Sequence, residues 1–364
     1  MKRKLKLGFI GGGVGSIAGY PHFIASQMDQ RFKVVAGVFS HNKERNQETA
    51  SKFKVKCYNS TEKMLQNEQL DVVAVLTPTP RHFEDIKMLL KRDIPIICEK
   101  PLVSSYKDAI EVQNLSKNKF LTVTYNYSGY PMIRELKDVI ESGRLGKIIS
   151  IDLKMPQESF LRPPKSHLYP QQWRLKDGDI PMIALDLGVH LQHLAFFLLG
   201  KRPTQILSTM NNFSKYDVVD DMSLLLKYQN NMIGKIWISK VALGERNGLS
   251  VSVYGTNGSA TWIQENSETL NLAFQNGDKL ILDRGGDCAI ASQKRYNRMT
   301  PGHPSGFIEA FANLYFDIGD CLDEWKSCRR FDNPYLHGIS HSVDGLSMFY
   351  KARISHKTNQ WVDL

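Results

Sequence analysis

The chain has 364 residues, 42% apolar and 23% charged, enough to bury a core and to make two domains. No apolar run approaches the roughly 18 residues that span a bilayer. Five cysteines, never spaced C-x-x-C, speak against a disulfide framework or a thiolate zinc site. The formal charge of +10 is scattered over 2–6, 52–56, 91–92 and 329–330 with no recurring basic and aromatic stripe, which argues against nucleic acid and leaves a solvated basic surface or attraction of anionic ligands.

The start, Met1-Lys2-Arg3-Lys4-Leu5-Lys6, is basic, but a short apolar strand and glycines follow, with no small-residue cleavage site. The expectation is a mature cytoplasmic protein that begins with its first strand. Apolar runs at 5–10, 34–39, 71–76, 94–98 and 121–125 alternate with helical patterns near 17–28, 43–53, 82–91 and 106–117. Strand and helix at this spacing predict right-handed crossovers and a parallel sheet. Val72-Val73-Ala74-Val75-Leu76 reads as a strand buried on both faces.

The pattern changes after Tyr125. A helix is predicted at 132–142, a strand at 148–155, a Pro-rich aromatic loop at 156–173 and an apolar helix at 184–199. Seven strand-like segments follow, at 205–211, 222–228, 233–241, 249–254, 260–263, 270–274 and 280–283. Tight turns such as Asn276-Gly277-Asp278 between them predict a mainly antiparallel sheet. Helical patterns return at 306–322 and 343–354. The fold class is α/β: an N-terminal Rossmann domain (doubly wound parallel sheet) over 1–124, and a C-terminal α+β domain with a large open sheet over 125–364, its terminal helices able to pack back on the first.

Strand 5–10 runs into Gly11-Gly12-Gly13-Val14-Gly15-Ser16 and then a helix. A dinucleotide site needs this order. Gly11 permits the tight turn, Gly13 lets backbone approach the pyrophosphate, and the helix start supplies free N–H groups. Ser16 stands at the third fingerprint position, which sets helix packing. The second strand ends Phe39-Ser40-His41-Asn42-Lys43, with Arg45 close by and no acid for the ribose. Ser with cations suits a 2′-phosphate; Ser with Asn suits a free ribose.

Cys98-Glu99-Lys100-Pro101 closes the fifth run, at the strand end where open α/β sheets bind ligands. There Lys100 can present its ammonium to a reacting oxygen. Asp186 and His190, four apart on the apolar helix, share a face and suit acid–base work, the carboxylate orienting the imidazole. His193 adds a possible metal pattern, but no second cluster completes it.

Taken together, the Gly loop, Leu76-Thr77-Pro78-Thr79, Glu99-Lys100-Pro101 and Asp186-x-Gly188-x-His190 resemble the Gfo/Idh/MocA family of oxidoreductases. The likeness runs to the late Val343-Asp344-Gly345. The stretches 11–19, 126–132 and 302–306 are similar to a narrower levoglucosan dehydrogenase-like group. The resemblance implies Lys100, Asp186 and His190 as the catalytic set. It implies NAD held by Gly11, Gly13, Val14, Gly15, Ser16, Ser40, Thr77, Pro78, His82, Glu99, Lys100, Asn126, Trp173 and Arg174, with Tyr125 at the cofactor–substrate junction. It gives Lys100, Tyr127, Asp186, His190 and His303 to the substrate. NAD is favoured, NADP not excluded, and no metal is expected. The loop 158–172 departs from the narrower group, and its Arg162, Lys165 and His167 suit a phosphate or carboxylate.

The implied function is hydride transfer between the nicotinamide and a hydroxyl or keto carbon of a sugar, anhydrosugar or cyclitol. Two alternatives stay open: a redox-neutral NAD-dependent glycosidase, and a non-catalytic NAD(P)-binding sugar sensor. The strand-rich second half predicts a homodimer or homotetramer through its sheet.

Overall fold

The computed structural model describes residues 3–162 and 170–364. The chain divides into two compact units, 1–129 with 306–343, and 130–305 with 344–364. No helix among the described residues is long and apolar enough to cross a membrane.

The first unit begins with β1 (Leu5–Gly11), α1 (Gly19–Met28), β2 (Phe32–Val38) and α2 (Lys43–Phe53). β3 (Lys56–Cys57), α3 (Thr61–Asn67), β4 (Val72–Leu76) and α4 (Thr79–Lys91) come next. β5 (Ile96–Glu99), α5 (Tyr106–Leu115) and β6 (Leu121–Thr124) complete a six-stranded parallel sheet in the order β3-β2-β1-β4-β5-β6. All five residues of β4 are buried, as expected of a parallel strand covered on both faces. Polar side chains begin the helices: Asn42, Ser60 and Ser105 each accept a backbone N–H from the first turn. β3 and α3 carry no strong periodicity and are additions to the sequence reading. A long helix, α8 (Phe307–Cys328), joins this unit's core through Phe311, Leu314, Tyr315, Ile318 and Trp325.

The second unit holds α6 (Pro131–Glu141), β7 (Ile148–Pro156) and α7 (Val189–Leu199), then β8 (Gln205–Asn211), β9 (Asp221–Lys227), β10 (Ile233–Ser239) and β11 (Ser250–Gly255). β12 (Gly258–Ile263), β13 (Thr269–Phe274) and β14 (Lys279–Asp283) follow. α9 (Ser340–Thr358) starts in the first unit's segment and continues into the second, where β15 (Val362–Asp363) ends the chain. Among the described residues nine strands run β14-β13-β12-β11-β7-β10-β9-β8-β15, and of these only β7 and β10 pair in parallel. Alternation sends Leu153, Leu224, Ile236, Val251 and Trp262 into the core. On the opposite parity, Leu225, Tyr254 and Ile263 are exposed.

Candidate functional site: a nucleotide loop and a charged substrate end

The order β3-β2-β1-β4-β5-β6 reverses direction between β1 and β4, and that switch point is where such sheets bind ligands. The glycine loop lies there. A Cβ on Gly15, whose φ is +89°, would meet nothing within 4 Å, so this backbone faces open space in a conformation that favours glycine. At Gly13 a Cβ would come within 2.8 Å of the Phe39 carbonyl, so its smallness lets the loop close on the end of β2. The Val14 N–H donates to Thr49 Oγ1 at 2.9 Å, which anchors the loop on α2. Helix packing falls elsewhere than Ser16: α1 starts at Gly19, where a Cβ would overlap the Gly12 carbonyl. Ser16 Oγ instead accepts from the Gly19 N–H at 3.3 Å.

At the end of β2 the Asn42 side chain caps α2, accepting from the Arg45 N–H at 2.9 Å. Ser40 Oγ accepts the Asn42 N–H at 3.1 Å and keeps its own O–H to give. His41, Lys43 and Arg45 are exposed beside it. An open glycine turn at the switch point and a serine hydroxyl at the β2 end fit a dinucleotide.

The remaining sequence-predicted residues of this unit form the strand ends. The Lys100–Pro101 peptide is cis. His82 is buried, with Nδ1 2.9 Å from the Pro101 carbonyl and Nε2 2.8 Å from the Thr77 carbonyl. Its observed contacts thus join the β4 and β5 loops rather than reach outward. Thr77 donates to Asp85 at 2.7 Å, and burial raises the Asp85 carboxyl against the pull of that bond and of Arg81. Glu99 lies 3.7 Å from His22, whose Nδ1 is 2.7 Å from the Tyr315 hydroxyl. Burial pushes the Tyr125 phenol up, and its hydroxyl lies 3.2 Å from Ser342 Oγ. Asn126 and Tyr127 are buried in a 3₁₀ turn, with the Tyr127 ring edge-on to Phe307.

In the second unit, residues Ala184–Gly188 form a turn of π-helix that leads into α7. Asp186 therefore sits on a widened turn, and His190 on the α-helix proper, buried. Such insertions recur at functional positions. Gly188 is there for packing: a Cβ would lie 2.6 Å from the Phe349 ring of α9 and 3.3 Å from Ile238 of β10. The Asp186 carboxylate forms ion pairs with Arg174 and, at 2.8 Å, with the Lys240 ammonium. Arg174 also lies over the Trp173 ring, 4.5 Å from its centroid, and Trp173 Nε1 donates to Gln171. No group of three or more metal-ligating side chains is assembled among the described residues.

His303 is exposed, its ring nitrogen 3.2 Å from the Thr300 carbonyl, while its own carbonyl accepts from Arg284. Arg162 is paired with Glu158 at 3.1 Å; Lys165 and His167 lie outside the described residues. Lys240 is the residue that sequence reasoning missed. A signal existed. Gly234, Ile236 and Ile238 are the inward positions of β10, and Lys240 continues that parity, a lysine where alternation demands a buried residue.

An oxidoreductase family model, described as an NAD-binding Rossmann fold, matches residues 5–127, and the GFO/IDH/MocA C-terminal domain model matches 133–261. The chain belongs to the Gfo/Idh/MocA family of oxidoreductases. Its first unit carries the family's NAD-binding domain. YfiI, an oxidoreductase of Bacillus subtilis (strain 168), is 26% identical over 386 residues, covering 100% of this chain and 98% of its own. Levoglucosan dehydrogenase of Pseudarthrobacter phenanthrenivorans is 26% identical, with 84% of this chain and 82% of that one covered. Among solved structures, an inositol dehydrogenase homolog from Azotobacter vinelandii, complexed with NADH and myo-inositol, has a TM-score of 0.90 at 25% identity, covering 100% of this chain and 98% of that one.

Proposed function

We propose that this oxidoreductase uses NAD to oxidise a secondary hydroxyl of a sugar-like polyol or cyclitol, with Lys100, Asp186 and His190 as the reacting set. Two features carry the reading, one in each unit. Lys100 ends a strand next to the nucleotide switch point, and Asp186 and His190 stand on a π-widened helix turn. The sugar and cyclitol names among the relatives support the substrate class.

Bound NAD supplies the hydride acceptor. The glycine loop and the Ser40 hydroxyl hold its phosphates and ribose. Lys100 donates to the substrate oxygen and offsets the negative charge that develops there as the O–H proton leaves. His190 accepts the hydroxyl proton. Asp186, its charge met by two cations, accepts a hydrogen bond from a neighbouring hydroxyl and fixes the ring's orientation. The Ser40 end of β2 resembles that of NAD-using members of the narrower group, and the preference is for NAD over NADP. The exposed Leu225, Tyr254 and Ile263 on the outer sheet parity favour a homodimer or homotetramer.

The test is absorbance at 340 nm with purified protein, either cofactor, and a panel of sugars, anhydrosugars and cyclitols. NADH formation that Lys100→Met abolishes is the expected result. A tightly bound cofactor with glycoside cleavage and no net NADH would favour the redox-neutral chemistry instead.

A further inference from the structure

The Asp186 carboxylate meets two cations, Arg174 on one oxygen and Lys240 on the other, and all three side chains are largely withdrawn from water: 12%, 25% and 11% exposed respectively. Beyond Asp186, Arg174 has the Trp173 ring, and Lys240 has the Phe160 ring at 5.3 Å. Two acids on adjoining segments are engaged elsewhere. Glu158 pairs with Arg162 and Arg246. Asp220 accepts the backbone N–H groups of Phe213 and Ser214. Among the described residues two cations thus pair with this one carboxylate, which leaves the trio one positive charge in excess in a sheltered place. Sheltering an uncompensated cation is costly, so the arrangement is suited to receive one further negative charge.

We propose, resting on the hydroxyl-oxidation reading, that the substrate carries a carboxylate, as a sugar acid does, and that Arg174 and Lys240 bind it. One excess positive charge matches a carboxylate. A phosphate monoester, at about −1.5 to −2, overshoots it. The planar Arg174 fork has more N–H groups than one carboxylate uses, and a second carboxylate suits its geometry.

The experiment compares kcat/KM with NAD for D-gluconate and D-galactonate against sorbitol, myo-inositol and glucose 6-phosphate, on wild type, Lys240→Met and Lys240→Arg. Wild type should prefer a sugar acid over its neutral polyol by about 10- to 100-fold. Lys240→Met should collapse that ratio, Lys240→Arg should restore most of it, and added salt should raise KM for the acid alone. NADH affinity checks that each variant is folded. Equal or better use of the neutral polyols, or a preference for glucose 6-phosphate, overturns the proposal and leaves the hydroxyl-oxidation reading standing. If no compound is oxidised, calorimetric binding of the two acids to the NADH-loaded protein decides. Binding that Lys240→Met removes supports the anion site; no binding overturns it.

Discussion

The two units place charge and main chain differently. At its switch point the first shows shape and main chain: an open glycine turn, a close approach of Gly13 to the end of β2, and a serine hydroxyl beside it. Its ion pairs serve to hold the chain together, as where Asp71 joins Arg3 and Lys326. The second unit buries charge. Arg284, almost fully buried, ties together Glu268, Asn297 and the carbonyls of Met299 and His303. Glu135 accepts the N–H groups of Ala289, Ile290 and Ala291. Asp186 gathers Arg174 and Lys240. A cofactor common to a family can be held by backbone that any sequence supplies. A particular substrate needs side chains, and buried charges fix one loop geometry at a desolvation cost.

That contrast can be broken from either side, and the largest effect is expected at the chemistry. Lys100→Met should lower kcat by about 10³-fold or more, because it leaves the developing alkoxide without its cation. A loss under tenfold would remove Lys100 from the reaction. His190→Asn should cost roughly 10²-fold and flatten the rising limb of the pH–rate profile, since only a neutral imidazole accepts a proton. If that limb persists while Lys100→Met is dead, Lys100 is the base.

On the cofactor side, Gly15→Val should weaken NADH binding at least about tenfold, about 1.4 kcal/mol, in a folded protein, because it fills open space and strains a positive φ. Gly13→Val is the poorer probe: its side chain would strike the Phe39 carbonyl and disturb the fold itself.

The smallest effect concerns the tie that serves structure alone. Burial would raise the Asp71 carboxyl, but hydrogen bonds from Arg3, Lys326 and the Lys6 N–H outweigh it and hold it at about 2. Because the folded value lies below the ordinary one, the stabilisation is present above about pH 4 and is lost as pH falls towards 2. Asp71→Asn should cost about 1 kcal/mol at neutral pH in denaturant titrations and reduce the acid sensitivity of that window. Turnover should not change.

Much of the first unit was legible because buried parallel strands read as continuous apolar runs, and because the loop 11–16 announces itself by glycine. The two-residue β3 and the short α3 offered too little period to be seen. Helix α8 was visible as a helix, and the expected ability of the terminal helices to pack back on the first domain corresponds to the place of 306–343 in the first unit. In the second unit, Asp186 and His190 stood out by spacing. The π turn beneath them did not, since no residue type encodes it. Lys240, 54 positions from Asp186, has only strand parity to betray it. Charge pairs between distant segments leave no local pattern, which is why the charged turn at Asp186 was harder to read than the glycine loop.

The division of labour is tested most directly by measuring NADH affinity and polyol turnover side by side on wild type and an Asp186→Asn/His190→Asn variant. The account predicts an NADH dissociation constant within about threefold of wild type, less than 0.7 kcal/mol, while turnover falls by at least about 10²-fold. Turnover that survives, or NADH affinity that falls as far as turnover does, would contradict it.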